Sequence, residues 1–109
     1  MTPIRSLRER FERDSIPVKW GSIASDLLRL SALARAKSPD SKIFQDVLTE
    51  AKLFTEWLAP QVAIKHQETI LSLQRALSDI SAGPPDYQDI EIKAHAWSDK
   101  VLDISGLVR

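Results

Sequence analysis

The chain has 109 residues, of which 43% are hydrophobic and 28% are charged, and its formal net charge is zero. These values are typical of one ordinary globular domain and unlike those of a disordered chain. The absence of cysteine excludes disulfides and thiolate metal sites and fits a reducing cytoplasm, where we expect the protein to work. No apolar run is long enough to span a membrane, and the N-terminus lacks the apolar core of a signal peptide.

The first helix is predicted from Pro3 to Asp14, within a short, basic and amphipathic segment (residues 1–15) that we expect at the periphery of one helical domain spanning 1–109. Its apolar stripe consists of Ile4, Leu7 and Phe11, at helical spacing. We expect this stripe to dock on the rest of the bundle or on a partner.

Two further helices have clear limits. The second is predicted from Gly21 to Lys37, because Pro17 and Gly21 interrupt the pattern before it. The last is predicted from Tyr87 to Ser105, with Asp86 as its N-cap and Gly106 at its end. No alternating pattern predicts a strand, so the fold class is all-α.

Pro60 decides the architecture of the segment between these helices. No glycine, serine, asparagine or aspartate surrounds it from Phe54 to His66, so neither a C-cap nor a polar N-cap is evident there. At 100° per residue the apolar stripes before and after Pro60 stay in register. We therefore predict one Pro60-kinked helix from Pro39 to Ala82, about 65 Å long at 1.5 Å per residue. The alternative is a compact four- or five-helix up-down bundle with a turn at Pro60.

The second, thinner stripe of this long helix predicts self-association. Neither neighbouring helix covers it easily, which suggests that a second copy of the chain does. The sequence thus predicts a homodimer that acts as a non-enzymatic interaction, regulatory or adaptor module with a further protein partner. The interface residues are Leu53, Trp57, Ile64 and Leu71.

The charges are unevenly distributed along the chain. Residues 1–37 carry eight Lys or Arg and four Asp or Glu, whereas residues 38–109 carry seven and eleven. We expect the two regions mainly to pair with each other. The alternative function is a nucleic-acid-associated regulator that uses this basic third. The candidate contacts for a partner or a nucleic acid are Arg5, Arg8, Arg10 and Arg13.

Catalytic and metal-binding patterns are missing from the sequence. There is no Glu-x-x-His motif, no His-Glu-x-x-His motif and no glycine-rich phosphate loop. His66 falls on an apolar face, and His95 follows Glu91 by four residues. We predict no enzymatic activity, no cofactor and no metal, and keep a small-ligand or metal-binding bundle around His66 as a minor alternative.

Overall fold

The computed structural model describes residues 3–36 and 41–107, and in these ranges it contains helices and no strand. The prediction of a small all-α helical bundle is confirmed. Two short 3-10 turns, Ala59–Gln61 and Ile64–His66, separate the third helix from the fourth. The five helices are α1 (Ile4–Arg13), α2 (Ile16–Arg35), α3 (Ser41–Leu58), α4 (Gln67–Ser81) and α5 (Tyr87–Ser105).

The single kinked helix through Pro60 is wrong. Val62 and Ala63 are extended, each with ψ of 150°, so the chain leaves the helical conformation between the two 3-10 turns. The longest dimension of the molecule is 37 Å, too short for the predicted helix. The alternative with a turn at Pro60 describes the fold.

The break at Pro60 uses glutamine side chains where a glycine or a polar N-cap was expected. The Nε2 of Gln61 donates to the carbonyl of Trp57 at 3.0 Å, and the Nε2 of Gln67 donates to the carbonyl of Val62 at 3.0 Å. Lys19 Nζ donates to Gln61 Oε1 at 2.7 Å and ties the turn to α2. Two carbonyls at the break thus accept side-chain hydrogen bonds, which lowers the cost of ending α3 here.

Consecutive helices from α2 to α5 run in alternating directions. Ser31 Oγ donates to the carbonyl of Glu91, and Ser98 Oγ donates to the carbonyl of Ala24, both at 2.9 Å. Early residues of α2 therefore meet late residues of α5, as in an antiparallel pair. The contacts of α2 with α3, and of α3 with α4, show the same reversal. The result is an up-down bundle.

The core lies where these four helices meet. None of the helices in the described ranges is long and apolar enough to cross a membrane. Buried side chains recur at helical spacing on each helix, so each contributes one face to a shared interior. The most deeply buried large residues are Ile23, Leu27, Leu30, Phe44, Leu48, Leu58, Ile70, Leu73, Leu77 and Val101.

The first helix packs outside the four-helix arrangement, on α3. Leu7 and Phe11 are buried, and the Phe11 ring stacks on Phe54 with centroids 4.5 Å apart. Ile4, the third member of the predicted stripe, is 52% exposed. The expected docking of α1 on the bundle thus uses two of the three apolar residues.

Helix limits agree with the sequence at α5 and differ at α2. Asp86 Oδ1 accepts a hydrogen bond from the Asp89 amide at 3.2 Å, and α5 ends at Gly106 as predicted. In contrast, α2 begins at Ile16 rather than Gly21. Pro17 lies in its first turn, where a missing amide hydrogen has no helical partner to lose. Proline was thus a start signal here and not a break.

Candidate functional site

The four residues predicted to form a subunit interface belong to three separate elements. Leu53 and Trp57 belong to α3, where Leu53 is half-buried and Trp57 is 8% exposed. Ile64 lies in the second 3-10 turn and is 92% exposed, and Leu71 of α4 is 49% exposed. The helix on which the continuous stripe was based is interrupted, and a rotation of 100° per residue applies only while the chain is helical.

Trp57 is covered from within the chain. The ring of Phe11 lies 5.9 Å from it, and the guanidinium of Arg8 lies 5.5 Å from its ring centroid. Helix α1 thus occupies the surface that the sequence assigns to a second copy. Dimerisation itself stays a prediction, and Ile64 and Leu71 are the two predicted interface residues that are exposed.

The arginines predicted to contact a partner or a nucleic acid are exposed on α1. Arg5 Nε lies 3.5 Å from Glu9 Oε1, and Glu12 is exposed on the same helix. Among the described residues, Arg29 and Arg35 of α2, and not the arginines of α1, form ion pairs between residues 1–37 and the acidic remainder of the chain. Nucleic-acid binding stays a prediction, and the two glutamates weaken the positive potential that it requires. The four arginines are Arg5, Arg8, Arg10 and Arg13.

The two histidines have different surroundings. His66 is half-buried with its ring 6.0 Å from that of Trp20, in an edge-to-face arrangement. His95 is exposed, and its Nδ1 lies 3.4 Å from Asp99 Oδ2. In the described part of the chain no three His, Asp or Glu residues converge as metal ligands. The minor alternative around His66 therefore gains no support from the geometry.

An open groove lies between α4 and α5. These helices approach each other less closely than α2 approaches α5. The gap has a volume of about 220 Å³, and Leu27 of α2 contributes to its lining. Its lining is mainly apolar, and α4 and α5 each provide one wall. The apolar residues of these walls are Leu73, Leu77, Ile80, Ile90, Ala94 and Trp97.

The rim of this groove is acidic. Asp79, Asp86, Asp89 and Lys93 line it, which leaves an excess of two negative charges. Lys93 Nζ lies 2.9 Å from Asp89 Oδ2, and this hydrogen bond is the main reason that the pKa of Lys93 is raised. Asp79 and Asp86 also act on Lys93 through their charges, and one lysine cannot balance three carboxylates. The site combines an apolar interior with negative charge at its edge.

A second cluster of charged groups lies between α2 and α3. Asp26 is 2% exposed, and its Oδ1 accepts a hydrogen bond from Arg29 Nη2 at 2.5 Å. The same Arg29 nitrogen lies 3.4 Å from Glu50 Oε1. The other oxygen, Asp26 Oδ2, is buried and has no hydrogen-bond partner. Burial, followed by the negative charge of Glu50, raises the pKa of Asp26 to about 7.

Asp26 is absent from the residues singled out in the sequence, although a signal for it exists. It follows Ile23 by three residues and precedes Leu30 by four, so helical periodicity places it on the buried face of α2. A cavity of about 300 Å³ adjoins it, and Arg10 and Asp14 from the α1 side line that cavity. What the sequence does not show is the proximity of Glu50.

Comparison of the chain with protein-family models, curated proteins and solved structures finds no match. Function is therefore inferred from the surfaces described above.

Proposed function

We propose that the protein is a non-enzymatic interaction module that binds an apolar, basic segment of another protein in the groove between α4 and α5. The observation that supports this proposal is the combination of an apolar interior with an acidic rim. Small-molecule pockets usually enclose about 300–1,000 Å³. The groove, at about 220 Å³, is smaller and better suited to one or two anchoring side chains of a protein segment.

Charge and shape indicate what kind of segment fits. Lys93 already pairs with Asp89. A lysine or arginine beside the anchoring side chain of the bound segment would therefore pair with Asp79 or Asp86. A mainly apolar gap between two helices suits an amphipathic helix whose anchors are three or four residues apart. The partner is therefore a helical segment with apolar anchors and flanking basic residues.

The titratable groups of the groove support a binding rather than a catalytic role. They comprise three aspartates and Lys93. The raised pKa of Lys93 disfavours the neutral amine that a general base or nucleophile requires. The geometry therefore offers recognition of charge and apolar surface.

Synthetic helical peptides test this function directly. The panel contains peptides with leucine or phenylalanine anchors flanked by lysine and arginine, and matched peptides in which glutamate replaces the basic residues. We expect the basic peptides to bind and the acidic ones to bind at least tenfold more weakly, with an affinity that falls as salt rises. Isothermal titration calorimetry measures both effects.

Matched variants locate the binding site. Ala76→Phe adds a ring to the groove lining, whereas Ala96→Phe adds the same ring at an exposed position of α5 outside the groove. Asp79→Lys reverses a rim charge, and Glu68→Lys makes the same change at an exposed position of α4 outside the groove. We expect the groove variants to lose binding at least tenfold and the controls to keep it. Equal binding in all four variants, or equal binding of acidic peptides, would contradict the proposal.

Self-association completes the proposed arrangement. The sequence predicts a homodimer with a regulatory or adaptor role, and two associated copies would present two grooves. Of the predicted interface residues, Ile64 and Leu71 are exposed and apolar. We propose that the copies meet through these two side chains.

A further inference from the structure

Two carboxyl groups share one guanidinium between α2 and α3, apart from the groove. Arg29 Nη2 lies 2.5 Å from Asp26 Oδ1 and 3.4 Å from Glu50 Oε1. If both acids were ionised, one positive charge would face two negative charges. The Asp26 side chain is only 3% exposed, so water cannot compensate for the excess charge there.

One bound proton removes the excess negative charge and also gives the second oxygen of Asp26 a hydrogen bond. Asp26 Oδ2 is buried without a partner, and a protonated carboxyl group is a hydrogen-bond donor. The carboxylate of Glu50, which lies 3.4 Å from the Arg29 nitrogen that also contacts Asp26, is the neighbouring acceptor for such a hydrogen bond. We propose that Asp26 and Glu50 bind one shared proton in the folded chain, held mainly by Asp26, so that the stability contributed by this pair falls as pH rises. Asp26 is the main holder because Glu50 is more exposed, at 30%, and its charge is better solvated.

The other charged groups around the pair do not replace this proton. Arg10 and Asp14 line the adjoining cavity from the α1 side, and their opposite charges offset each other. The neutral side chains of Ser22 and Ser25 complete the polar lining from α2. Arg29 is therefore the cation that balances the pair, and it balances one negative charge.

The electrostatic surroundings of Asp26 agree with this assignment. Burial is the largest cause that raises its pKa, from 3.8 to about 7, followed by the charge of Glu50 and by hydrogen bonding to Glu50, which only the protonated acid can donate. Arg29 acts in the opposite direction and only partly offsets these effects. The folded chain therefore keeps a proton at pH values where an unfolded chain has lost it.

The sign of the resulting pH dependence follows from linkage. Between pH 3.8 and about 7 the folded state binds more protons at Asp26 than the unfolded state does. Stability contributed by this site therefore falls as pH rises through that range. The unfolding equilibrium constant increases by up to about tenfold per pH unit, which corresponds to about 1.4 kcal/mol. Above about pH 7 the contribution of this site to the unfolding equilibrium no longer changes with pH.

Urea unfolding between pH 4.5 and 8.5 tests the proposal with Asp26→Asn. Asparagine resembles the protonated acid, because its amide donates to Glu50 while its oxygen accepts from Arg29. We expect the ratio of wild-type to Asp26→Asn unfolding constants to rise with pH up to about pH 7 and then level off. Asp46→Asn is the control, since Asp46 is 41% exposed and pairs with Lys42 on the surface. It should retain the wild-type pH dependence, and a pH-independent ratio for Asp26→Asn would overturn the proposal.

Carboxyl ¹³C NMR of the wild-type protein gives a second test that needs no destabilised variant. We expect the side-chain carboxyl carbon of Asp26 to change shift near neutral pH. In Glu50→Gln the Asp26 midpoint should fall, because the negative neighbour is lost. An Asp26 midpoint near 3.8, or one unaffected by Glu50→Gln, would show that no proton is shared.

Discussion

Gly106 ends α5 with φ of 71°, in the left-handed region that glycine adopts without steric cost. Gly83, in the linker between α4 and α5, does not have a positive φ. A Cβ atom added at either glycine would meet no other atom within 4 Å. The two positions therefore differ in backbone conformation and not in available space.

Replacing each of these glycines by alanine separates the two effects. Gly106→Ala should lower the free energy of unfolding by about 1 kcal/mol, because an L-residue is strained at positive φ. Gly83→Ala should leave it unchanged or raise it by less than about 1 kcal/mol, since alanine restricts the unfolded chain. Thermal and urea denaturation of both variants measure the difference. Equal effects at the two sites would show that backbone conformation at Gly106 has no bearing on stability.

Helix α1 is attached to the bundle mainly through side chains. Phe11 is 3% exposed and Leu7 is 5% exposed, and the Phe11 ring stacks on Phe54 of α3. On the polar side Lys19 Nζ lies 3.7 Å from Glu12 Oε2, while also holding the turn that follows α3. The apolar contact is the larger contribution, because Glu12 is 41% exposed and well solvated.

Truncation of Phe11 should release this helix. We expect Phe11→Ala to lower the free energy of unfolding by about 3–5 kcal/mol, the usual cost of deleting a buried ring. Ile4→Ala, at a 52% exposed position of the same helix, should change it by less than about 0.5 kcal/mol. Urea denaturation measures stability, and hydrogen exchange should show faster exchange of α1 amides in Phe11→Ala. Unaltered protection of α1 in that variant would mean that other contacts hold the helix.

The association state is a property of the whole molecule, and the fold determines which substitutions can test it. Trp57 is buried under α1, so a charged residue there would damage the fold and say little about dimerisation. Ile64 is 92% exposed and Leu71 is 49% exposed, so both tolerate charge. These two positions separate association from stability.

Light scattering coupled to size exclusion measures the mass. We expect the wild-type protein to have twice the chain mass of 12.3 kDa, and the double variant Ile64→Glu/Leu71→Glu to have 12.3 kDa with its helical circular dichroism retained. Ile92→Glu is the control, since Ile92 is a 65% exposed residue of α5 outside the predicted interface. A wild-type mass of 12.3 kDa would contradict the homodimer, and a dimer that persists in the double variant would place its interface elsewhere.

Local signals account for the parts of the fold that the sequence predicted well. The periodic apolar residues predicted an all-α bundle, and Asp86 and Gly106 marked the limits of α5, because caps act within one helical turn. Pro17 was misinterpreted because proline both starts and breaks helices, and only the Ser15 cap upstream distinguishes the two. The acidic residues of the groove rim were visible as charges, but nothing local indicated that α4 and α5 separate there.

The sequence by itself determined the helical class, the amphipathic α1 and the absence of thiol chemistry, since these depend on composition and on neighbours within a few residues. Only the tertiary structure decided the break at Pro60, because Gln61 is held by Lys19, 42 residues away. The same holds for Asp26, whose charge balance depends on Glu50 of another helix. Burial and pairing between distant residues arise only after the helices pack, so no local pattern encodes them.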